Sequence, residues 1–553
     1  AMQIVSLILM LLLAVVVSAF ATRLSPVKLP APLLQMLIGA GFYYGGFEVA
    51  FDSHLFLLLF IPPLLFLDGW RIPKGALFRD WRPILALAVG LVVFTVFGVG
   101  LFVHWLIPAV PLAVAFALAA ILSPTDPVAV GAMTATSPLP SRLTHILEGE
   151  ALLNDATGLV CFTFAVNAAL TGQFSVSSAA LRFALVSGGG VVVGVGVTWV
   201  IGQLNRALLK RAGEEPATQI LVSLLMPFAA YLVAEHLHVS GILAAAVAGI
   251  AMHYGELAGR ALAATRMQRN AVWDTVQVTL NGIIFVLLGQ QLPHFIARLP
   301  SAASEIGVRS VPQFLVYLGS ITAVLVALRF FWVWIAMHVT VLRAARRGEQ
   351  RRTAPTRTLA VTATAGVRGA ITLAGILTLP ETLPNGAPFP ARDVAIFLAM
   401  GVILLSLLLA TVALPFLSRG LMTLPGAGHS AAAKRTSEAT ARTAAAEAAV
   451  RGIERMLTEA SPNAETSVAR AEAAMHLIAG YRRRLECGDT HEDESETQRV
   501  AAAEPELHLS ALQAEREELL RLRKDRGIDD DVHRALLREI DLVEASLTPA
   551  GSH

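Results

Sequence analysis

Thirteen apolar runs, each long enough to cross a bilayer as a helix, occupy most of residues 1–424. A hydrocarbon core of about 30 Å requires about 20 predominantly apolar residues in helical form. Hydrophobic residues make up 55% of the chain and charged residues only 15%, which excludes an ordinary soluble protein. The sequence therefore predicts an all-α integral membrane protein with about thirteen transmembrane helices, at 3–21, 30–47, 53–69, 84–107, 111–133, 150–170, 180–204, 218–237, 239–254, 274–293, 312–341, 358–380 and 393–418.

The positive charges between these runs indicate an orientation. Lys and Arg concentrate in the loops on the cytoplasmic side of a membrane protein. One alternating set of loops carries nineteen of these residues, and the other set carries four, namely Arg182, Arg298, Arg309 and Arg392. This asymmetry supports thirteen spans and predicts an N-terminus outside and a C-terminus in the cytoplasm.

Several classes of function are not supported by the sequence. The net charge of +2 does not indicate a nucleic-acid partner. No nucleophile, metal cluster or phosphate loop appears, so we expect neither an enzyme nor a cofactor. The run "SGGGVVVGVGV" follows no strand pattern and is interpreted as close helix packing. The two cysteines, Cys161 and Cys487, fall in a span and in the tail, so no disulfide is expected.

The composition changes after about residue 424, where apolar runs give way to Ala, Glu and Arg. We therefore divide the chain into a transmembrane domain, 1–424, and a cytosolic helical tail, 425–553. Segments such as "TARTAAAEAAVRGIERMLTEA" and "DRGIDDDVHRALLREIDLVEASL" have helix formers and apolar residues at helical spacing. We predict three or four helices there, which serve either as an appendage or dimer contact, or as a regulatory domain.

Two spans contain polar residues and helix-breaking residues. In "LAAILSPTDPVAVGAM", Pro124 and Pro127 flank Thr125 and Asp126, so the fifth span should break there. In "LAVTATAGVRGAITLAGILTLP", Arg368 lies between two glycines of the twelfth span, which indicates a second unwound segment. Irregular backbone at membrane depth is tolerated where it lines a cavity or is buried in protein.

These interruptions are seven spans apart. If spans 1–6 and 8–13 form two halves, both interruptions occupy corresponding positions, and an odd offset gives the halves opposite orientations. Matching interrupted helices point to a transporter with inverted repeats whose unwound helices cross at the substrate site.

A carboxamide and a carboxylate stand side by side in the sixth span, as Asn154 and Asp155 of "GEALLNDATGLVCF". An acid at the bilayer centre costs about 2.5–3.5 kcal/mol on insertion scales, so it indicates a functional role. An acid removed from water holds a proton more readily, and a nearby cation displaces that proton. One carboxylate can thus hold either a proton or a cation.

At these residues the sequence resembles the monovalent cation–proton antiporter family, in its sodium/proton exchanger branch. The resemblance rests on "SPTDPVAV", "LEGEALLNDATGLV", "VSGILAAAVAGI", "WDTVQVTLNGIIFVLLG" and "GVRGAITLA", in that order. It implies a homodimeric antiporter of the bacterial inner membrane that contributes to pH homeostasis. Its partners would be a monovalent cation, Na+ or else K+ or Li+, the proton and the lipid bilayer.

The resemblance also implies roles for individual residues. Asp155 would bind cation and proton in competition, with Asn154 as its partner in the pair that marks electroneutral exchangers. Thr125 and Asp126 would lie at the crossing of the unwound helices, and Na+ would be held through Asp155 and Thr125. Glu150 would form a structural ion pair with Arg368.

The chain departs from this family pattern at two positions. Relatives carry an acid five residues after the first proline of "PPLLF", where this chain has Leu67, and Asp68 follows one residue later. Because one residue turns a helix by about 100°, we expect the Asp68 side chain to face away from the ion path. Ala151 replaces a serine of relatives. Asp68 and Glu148 remain candidate accessory acids.

Two other classes of function use similar features. A sodium-coupled symporter of an organic substrate would also place its site at broken helices, and a gated cation channel would also carry buried acids. The inverted halves and the site midway across the membrane favour the antiporter.

Overall fold

The structure, a computed structural model, describes ten stretches of the first unit of the chain and short pieces of the second. By spatial clustering the two units are Ala1–Leu424 and Pro425–His553. The described residues are 2–24, 31–46, 53–72, 74–126, 141–172, 176–213, 215–257, 263–305, 311–346 and 356–418, then 447–455, 474–476, 478–479, 540 and 542–543.

Within the described residues, each predicted run of the first unit overlaps a helix or a pair of helices. Seven of the described helical stretches are long and apolar enough to cross a membrane, and three shorter apolar helices accompany them. The prediction of an all-α multi-span fold is confirmed. The helices are α1 (Met2–Leu24), α2 (Ala31–Tyr44), α3 (Ser53–Arg71), α4 (Lys74–Arg79), α5 (Trp81–Leu85), α6 (Val92–Leu106), α7 (Leu112–Leu122), α8 (Ser141–Thr171), α9 (Val176–Ala212), α10 (Pro216–His236), α11 (Gly241–Leu257), α12 (Ala263–Glu305), α13 (Val311–Arg346), α14 (Thr356–Thr364), α15 (Ala370–Leu377) and α16 (Arg392–Ser418).

Three helices are much longer than the apolar runs that predicted them. Helix α8 begins at Ser141 instead of 150, α9 covers Val176–Ala212 instead of 180–204, and α12 extends over 43 residues instead of 274–293. The flanks of these runs contain polar residues and helix formers, and backbone hydrogen bonding continues through them. Hydropathy marks the part of a helix that meets lipid, so it underestimates the length of a helix that extends into water.

Helices α5 and α6 are joined by a π-helical segment, Ala86–Leu91. The indole of Trp332 on α13 donates a hydrogen bond of 3.1 Å to the Ala86 carbonyl at the start of this segment. Gly90 lies against the same ring, because a Cβ added there would come within 2.5 Å of it. The π segment therefore packs closely against α13.

Two pairs of helices make reciprocal backbone contacts, which we call the glycine crossings. In the α2–α12 crossing, Gly39 lies against the Val286 carbonyl and Gly289 lies against the Met36 carbonyl. In the α3–α11 crossing, Gly69 meets the Ala246 carbonyl and Gly249 meets the Phe66 carbonyl. In every case the contacted carbonyl precedes the partner's glycine by three residues, so the two crossings repeat one geometry.

The repeated geometry matches the predicted internal symmetry. An offset of seven spans relates α2 to α11 and α3 to α12, so it converts one glycine crossing into the other. Small residues allow helix backbones to approach closely in a membrane. The same packing occurs between α9 and α11, where a Cβ at Gly190 would come within 2.7 Å of the Ser240 carbonyl and one at Gly194 within 2.5 Å of the Ala244 carbonyl.

The buried apolar side chains form three clusters. The largest joins α6, α7 and α8 to helices α13 to α16, with Leu118 and Val367 inside it. A second lies around Trp273 and connects α3, α10 and α11. The third contains Leu64, Leu152 and Ala374, and so contains residues of α3, α8 and α15. Helices α7, α8, α14 and α15, which carry the predicted site, thus lie within a continuous core.

The described part of the second unit is small. Residues 447–455 are helical and carry an exposed Arg451–Glu447 pair at 3.4 Å. These residues fall within one predicted tail helix. The remaining predicted tail helices, and Cys487, lie outside the described residues apart from a few helical residues at 474–476, 478–479, 540 and 542–543.

Candidate functional site

The fifth span breaks where its proline predicts. Helix α7 ends at Leu122, and the chain from Ser123 to Asp126 is irregular although every residue in it is buried. Gly158 of α8 accommodates this break, because a Cβ there would overlap the Pro124 ring. The Ser123 hydroxyl is 3.4 Å from the Val92 carbonyl of α6. Pro127 and the continuation of this span lie outside the described residues.

The twelfth span breaks at its glycines. Helix α14 ends at Thr364, α15 begins at Ala370, and the irregular stretch between them contains Gly366, Arg368 and Gly369. The two broken stretches touch, since the Asp126 amide donates a hydrogen bond of 2.8 Å to the Val367 carbonyl. We call this contact, between 123–126 and 365–369, the interrupted crossing.

Opposite charges stand at opposite helix ends in the interrupted crossing. The Arg368 guanidinium donates to the Leu122 carbonyl at 2.8 Å, at the carboxyl end of α7, and to the Gly366 carbonyl, two residues beyond the end of α14. The Asp126 carboxylate lies against Gly369, the N-cap of α15, where a Cβ would overlap it. Helix carboxyl ends favour cations and amino ends favour anions, so both charges are placed where the backbone stabilises them.

Asn154 and Asp155 of α8 face this crossing. The Asn154 side-chain amide donates a hydrogen bond of 2.9 Å to the Thr125 hydroxyl. Asn154 is 1% exposed and Asp155 is 3% exposed. Asn154 Oδ1 and Asp155 Oδ2 are buried and have no hydrogen-bond partner among the described residues. Leaving a buried acceptor unsatisfied costs about 1–3 kcal/mol, and more for a charged group. The Asp155 oxygen is therefore suited to a proton or a cation, and the Asn154 oxygen to a cation.

The structure corrects the expected ion pair. The Glu150 carboxylate is paired with Arg329 of α13, in two hydrogen bonds of 2.5 and 2.7 Å, and not with Arg368. Arg329 also donates to the Thr362 carbonyl at 2.8 Å and packs on Gly366. Glu150 and Arg329 are 1% and 2% exposed. Arg329 reaches Glu150 because α13 crosses beside α14, whereas the Arg368 guanidinium is occupied by helix carboxyl ends.

Sequence reasoning did not identify Arg329. Its signal was present, since "ITAVLVALRFFWVWIAMHV" contains one arginine in the middle of an otherwise uncharged run. An arginine at that depth requires a partner. The sequence analysis named Arg368 as the partner of Glu150 because glycines flank Arg368 in the twelfth span, whereas α13 has no such interruption.

The orientation expected for Asp68 stays a prediction. Leu67 is fully buried in the cluster around Trp273, and an acid at that position would meet an apolar wall. Asp68 is half-buried, and it is close enough to Asp126, Glu148, Arg71 and Asp155 for their charges to interact. Glu148 is exposed and precedes the buried Glu150 by two residues and the buried Asn154 by six.

Comparison with known proteins points to one family. Residues 9–420 match the family model described as "Sodium/hydrogen exchanger, transmembrane". A protein of Escherichia coli called an uncharacterized Na+/H+ exchanger, YjcE, is 40% identical over 99% of both chains. A Bacillus subtilis protein named a sodium, potassium, lithium and rubidium/H+ antiporter is 40% identical over 75% of this chain and 62% of its own length.

A solved structure shares the fold. The sodium proton antiporter MjNhaP1 of Methanocaldococcus jannaschii superposes with a TM-score of 0.54, covering 76% of this chain and 99% of its own. The two sequences are 19% identical, so this likeness concerns architecture.

Proposed function

The chain belongs to the sodium/hydrogen exchanger family, and we propose that it exchanges a monovalent cation for a proton across the membrane, with both ions competing for Asp155. The observation that carries this proposal is the placement of Asp155. Its carboxylate is buried beside the interrupted crossing, and its Oδ2 has no partner among the described residues.

The oxygen atoms around Asp155 suit a hard cation. Asp155 Oδ2 and Asn154 Oδ1 are both available for coordination, and the Thr125 hydroxyl lies 2.9 Å from the Asn154 amide nitrogen. Na+, K+ and Li+ prefer oxygen ligands of this kind, as do other hard cations. Asn154 is held by Thr125 so that its nitrogen faces the hydroxyl and its oxygen is free for the ion.

Two neighbouring basic side chains are held in place while Asp155 changes its occupant. Arg329 is paired with Glu150, and Arg368 donates to backbone carbonyls at the break of each interrupted span. One titrating carboxylate then carries one proton in one direction and one cation in the other. We propose electroneutral one-for-one exchange on this basis, with alternating access switched by whichever ion occupies Asp155.

The finer features of the proposal rest on the sequence and on relatives. The loop charges support an N-terminus outside and a C-terminus in the cytoplasm, and the bacterial relatives support the inner membrane. The name of the Bacillus relative makes K+ and Li+ candidates beside Na+. The protein is proposed to act as a homodimer, as the family resemblance implies.

The test is transport in sealed vesicles that contain the purified protein. A preset pH gradient should dissipate when Na+, K+ or Li+ is added, for at least one of the three ions, without generating a current. Asp155→Asn should abolish dissipation, while Asp393→Asn, at a half-buried acid in the first turn of α16, should leave it unchanged. An ion current without proton movement would indicate a channel, and proton entry together with the cation would indicate a symporter.

A further inference from the structure

The π segment Ala86–Leu91 belongs to the fourth span, between α5 and α6. In a π turn each carbonyl bonds to the amide five residues ahead instead of four, so the turn is wider and holds an extra residue. Such turns are rare and are frequent at functional sites. An offset of seven spans relates the fourth span to α13, which is α-helical throughout Val311–Arg346. The scaffold shared by the two halves therefore does not require the π segment.

The indole of Trp332 holds the π segment on α13. Its N–H donates the hydrogen bond of 3.1 Å to the Ala86 carbonyl, and its six-membered ring lies within 2.5 Å of a Cβ built at Gly90. The indole also packs against Phe94 of α6, with 5.2 Å between the ring centroids. Trp332 therefore contacts the beginning of the π segment, its interior and the helix that follows it.

One end of the π segment adjoins the buried ion pair. Ile84, two residues before the segment, packs on Gly149 of α8, where an added Cβ would come within 2.8 Å of the Ile84 side chain. The next residue of α8 is Glu150, which is paired with Arg329 of α13. Arg329 precedes Trp332 by three residues, so both lie on one face of α13. This face of α13 therefore holds α8 through Arg329 and the π segment through Trp332.

The other end of the π segment adjoins the break of the fifth span. Val92 directly follows the segment, and its carbonyl lies 3.4 Å from the hydroxyl of Ser123, the first residue after α7. Two residues further on, the Thr125 hydroxyl accepts the hydrogen bond of the Asn154 amide. A displacement of the π segment would therefore reach the oxygen atoms that are proposed to bind the cation.

We propose that Trp332 is a positioning residue for cation binding, which acts through the π segment on the break that places Thr125 against Asn154. This inference rests on the proposed exchange. Ligands of a bound ion have to be held within about 0.5 Å of their productive geometry by the residues that support them. The bond between Trp332 and the Ala86 carbonyl supplies such support from a helix that contributes no proposed cation ligand.

The experiment measures the cation dependence of exchange in the sealed vesicles described above. Trp332→Phe keeps an aromatic ring and removes the N–H that binds the Ala86 carbonyl. We expect the KM for the transported cation to rise about threefold to tenfold, as for the loss of one hydrogen bond. The maximal rate should stay within about twofold of wild type, because no ion-binding group is removed. Trp334→Phe, at an exposed tryptophan of the same helix, is the control and should keep the wild-type KM.

A second variant disturbs the same contact from the opposite side. Gly90→Ala places a methyl group against the indole and should raise the KM by a similar factor. In Trp332→Phe the ring atoms that this methyl group would meet are absent, so the double variant should have the KM of Trp332→Phe alone. Gly98→Ala is the steric control, since its Cβ would come within 2.6 Å of Leu328 on the same helix but outside the π segment. It should lower the melting temperature and leave the KM unchanged.

Three results would overturn the inference. The first is an unchanged KM in Trp332→Phe, and the second is a rise in Gly98→Ala as large as that in Gly90→Ala. The third is a double variant whose KM rises by the product of the two single effects. If Trp332→Phe does not fold, the comparison of Gly90→Ala with Gly98→Ala still decides. Wild-type exchange in the same vesicles reports separately on the proposed function.

Discussion

At the glycine crossings, intact helices approach until backbone meets backbone, and glycine is the residue that permits it. At the interrupted crossing, α7 and α14 stop short, and the freed carbonyls are met by Arg368. Both arrangements bring remote spans into contact inside a membrane. In the first arrangement the helices continue through the contact, whereas in the second they end there and a buried charged side chain meets backbone carbonyls.

The glycine crossings therefore serve as a framework, and the interrupted crossing forms the candidate site. At the glycine crossings the glycines meet backbone atoms of the partner helix, in one geometry that is repeated in the two halves. The interrupted crossing is asymmetric in its charges, since the fifth span supplies Asp126 and the twelfth supplies Arg368. Inverted repeats thus share a scaffold, and the chemistry arises where their sequences differ.

The largest expected effect is a loss of transport activity that leaves the stability of the protein nearly unchanged. Asp155→Asn should reduce exchange by at least about a hundredfold. The amide side chain neither takes up a proton nor carries the negative charge that binds the cation. Its melting temperature in detergent should stay within a few degrees of wild type, since the amide resembles the protonated acid. Vesicle transport and thermal unfolding check the two parts. Robust exchange by this variant would remove Asp155 from the mechanism.

The next effect concerns the buried ion pair beside the interrupted crossing. Glu150→Gln or Arg329→Gln leaves a buried charge without its partner, which costs about 3–5 kcal/mol. The double variant should lose less stability than the two single variants added together. A double-mutant cycle on thermal unfolding measures this coupling. The matched cycle with Glu150→Gln and Arg368→Gln should show weaker coupling, and the reverse ranking would contradict the pairing seen in the structure.

A smaller effect tests the framework. Gly39→Ala and Gly249→Ala each place a methyl group against a backbone carbonyl, so each should destabilise the protein by about 1–3 kcal/mol. Because the crossings repeat one geometry, the two losses should be similar. Gly196→Ala is the control, since nothing lies within 4 Å of the added methyl group. If the melting temperature falls as much for Gly196→Ala as for the two crossing variants, the destabilisation comes from the loss of a glycine and not from the lost backbone contact.

The smallest effect concerns the orientation of Asn154. Thr125→Val removes the hydroxyl that accepts the hydrogen bond of the Asn154 amide, worth about 0.5–1.5 kcal/mol. We expect a rise of about threefold to tenfold in the KM for the transported cation, with folding preserved. Thr125→Ser keeps the hydroxyl and should retain the wild-type KM. A raised KM in Thr125→Ser together with a wild-type KM in Thr125→Val would instead assign the role of Thr125 to its methyl group.

Local features of the sequence determined the number of spans, both interruptions and the Asn154–Asp155 pair. Hydropathy acts over one helix, and proline and glycine act on the backbone of their own segment, so these features need no knowledge of remote contacts. The motifs in their order also identified the family, whose model covers residues 9–420.

Only the tertiary structure decided which charges meet. Arg329 and Glu150 are 179 residues apart, and their pairing depends on how α13 crosses α8 and α14. The direction of Asp68 likewise depends on the rotation of α3, which Gly69 and Leu67 set through their contacts with α11 and with the cluster around Trp273. A sequence shows that a helix contains a charge or a glycine. The rotation and depth of the neighbouring helix decide what that residue touches, because they result from the packing of all the spans together.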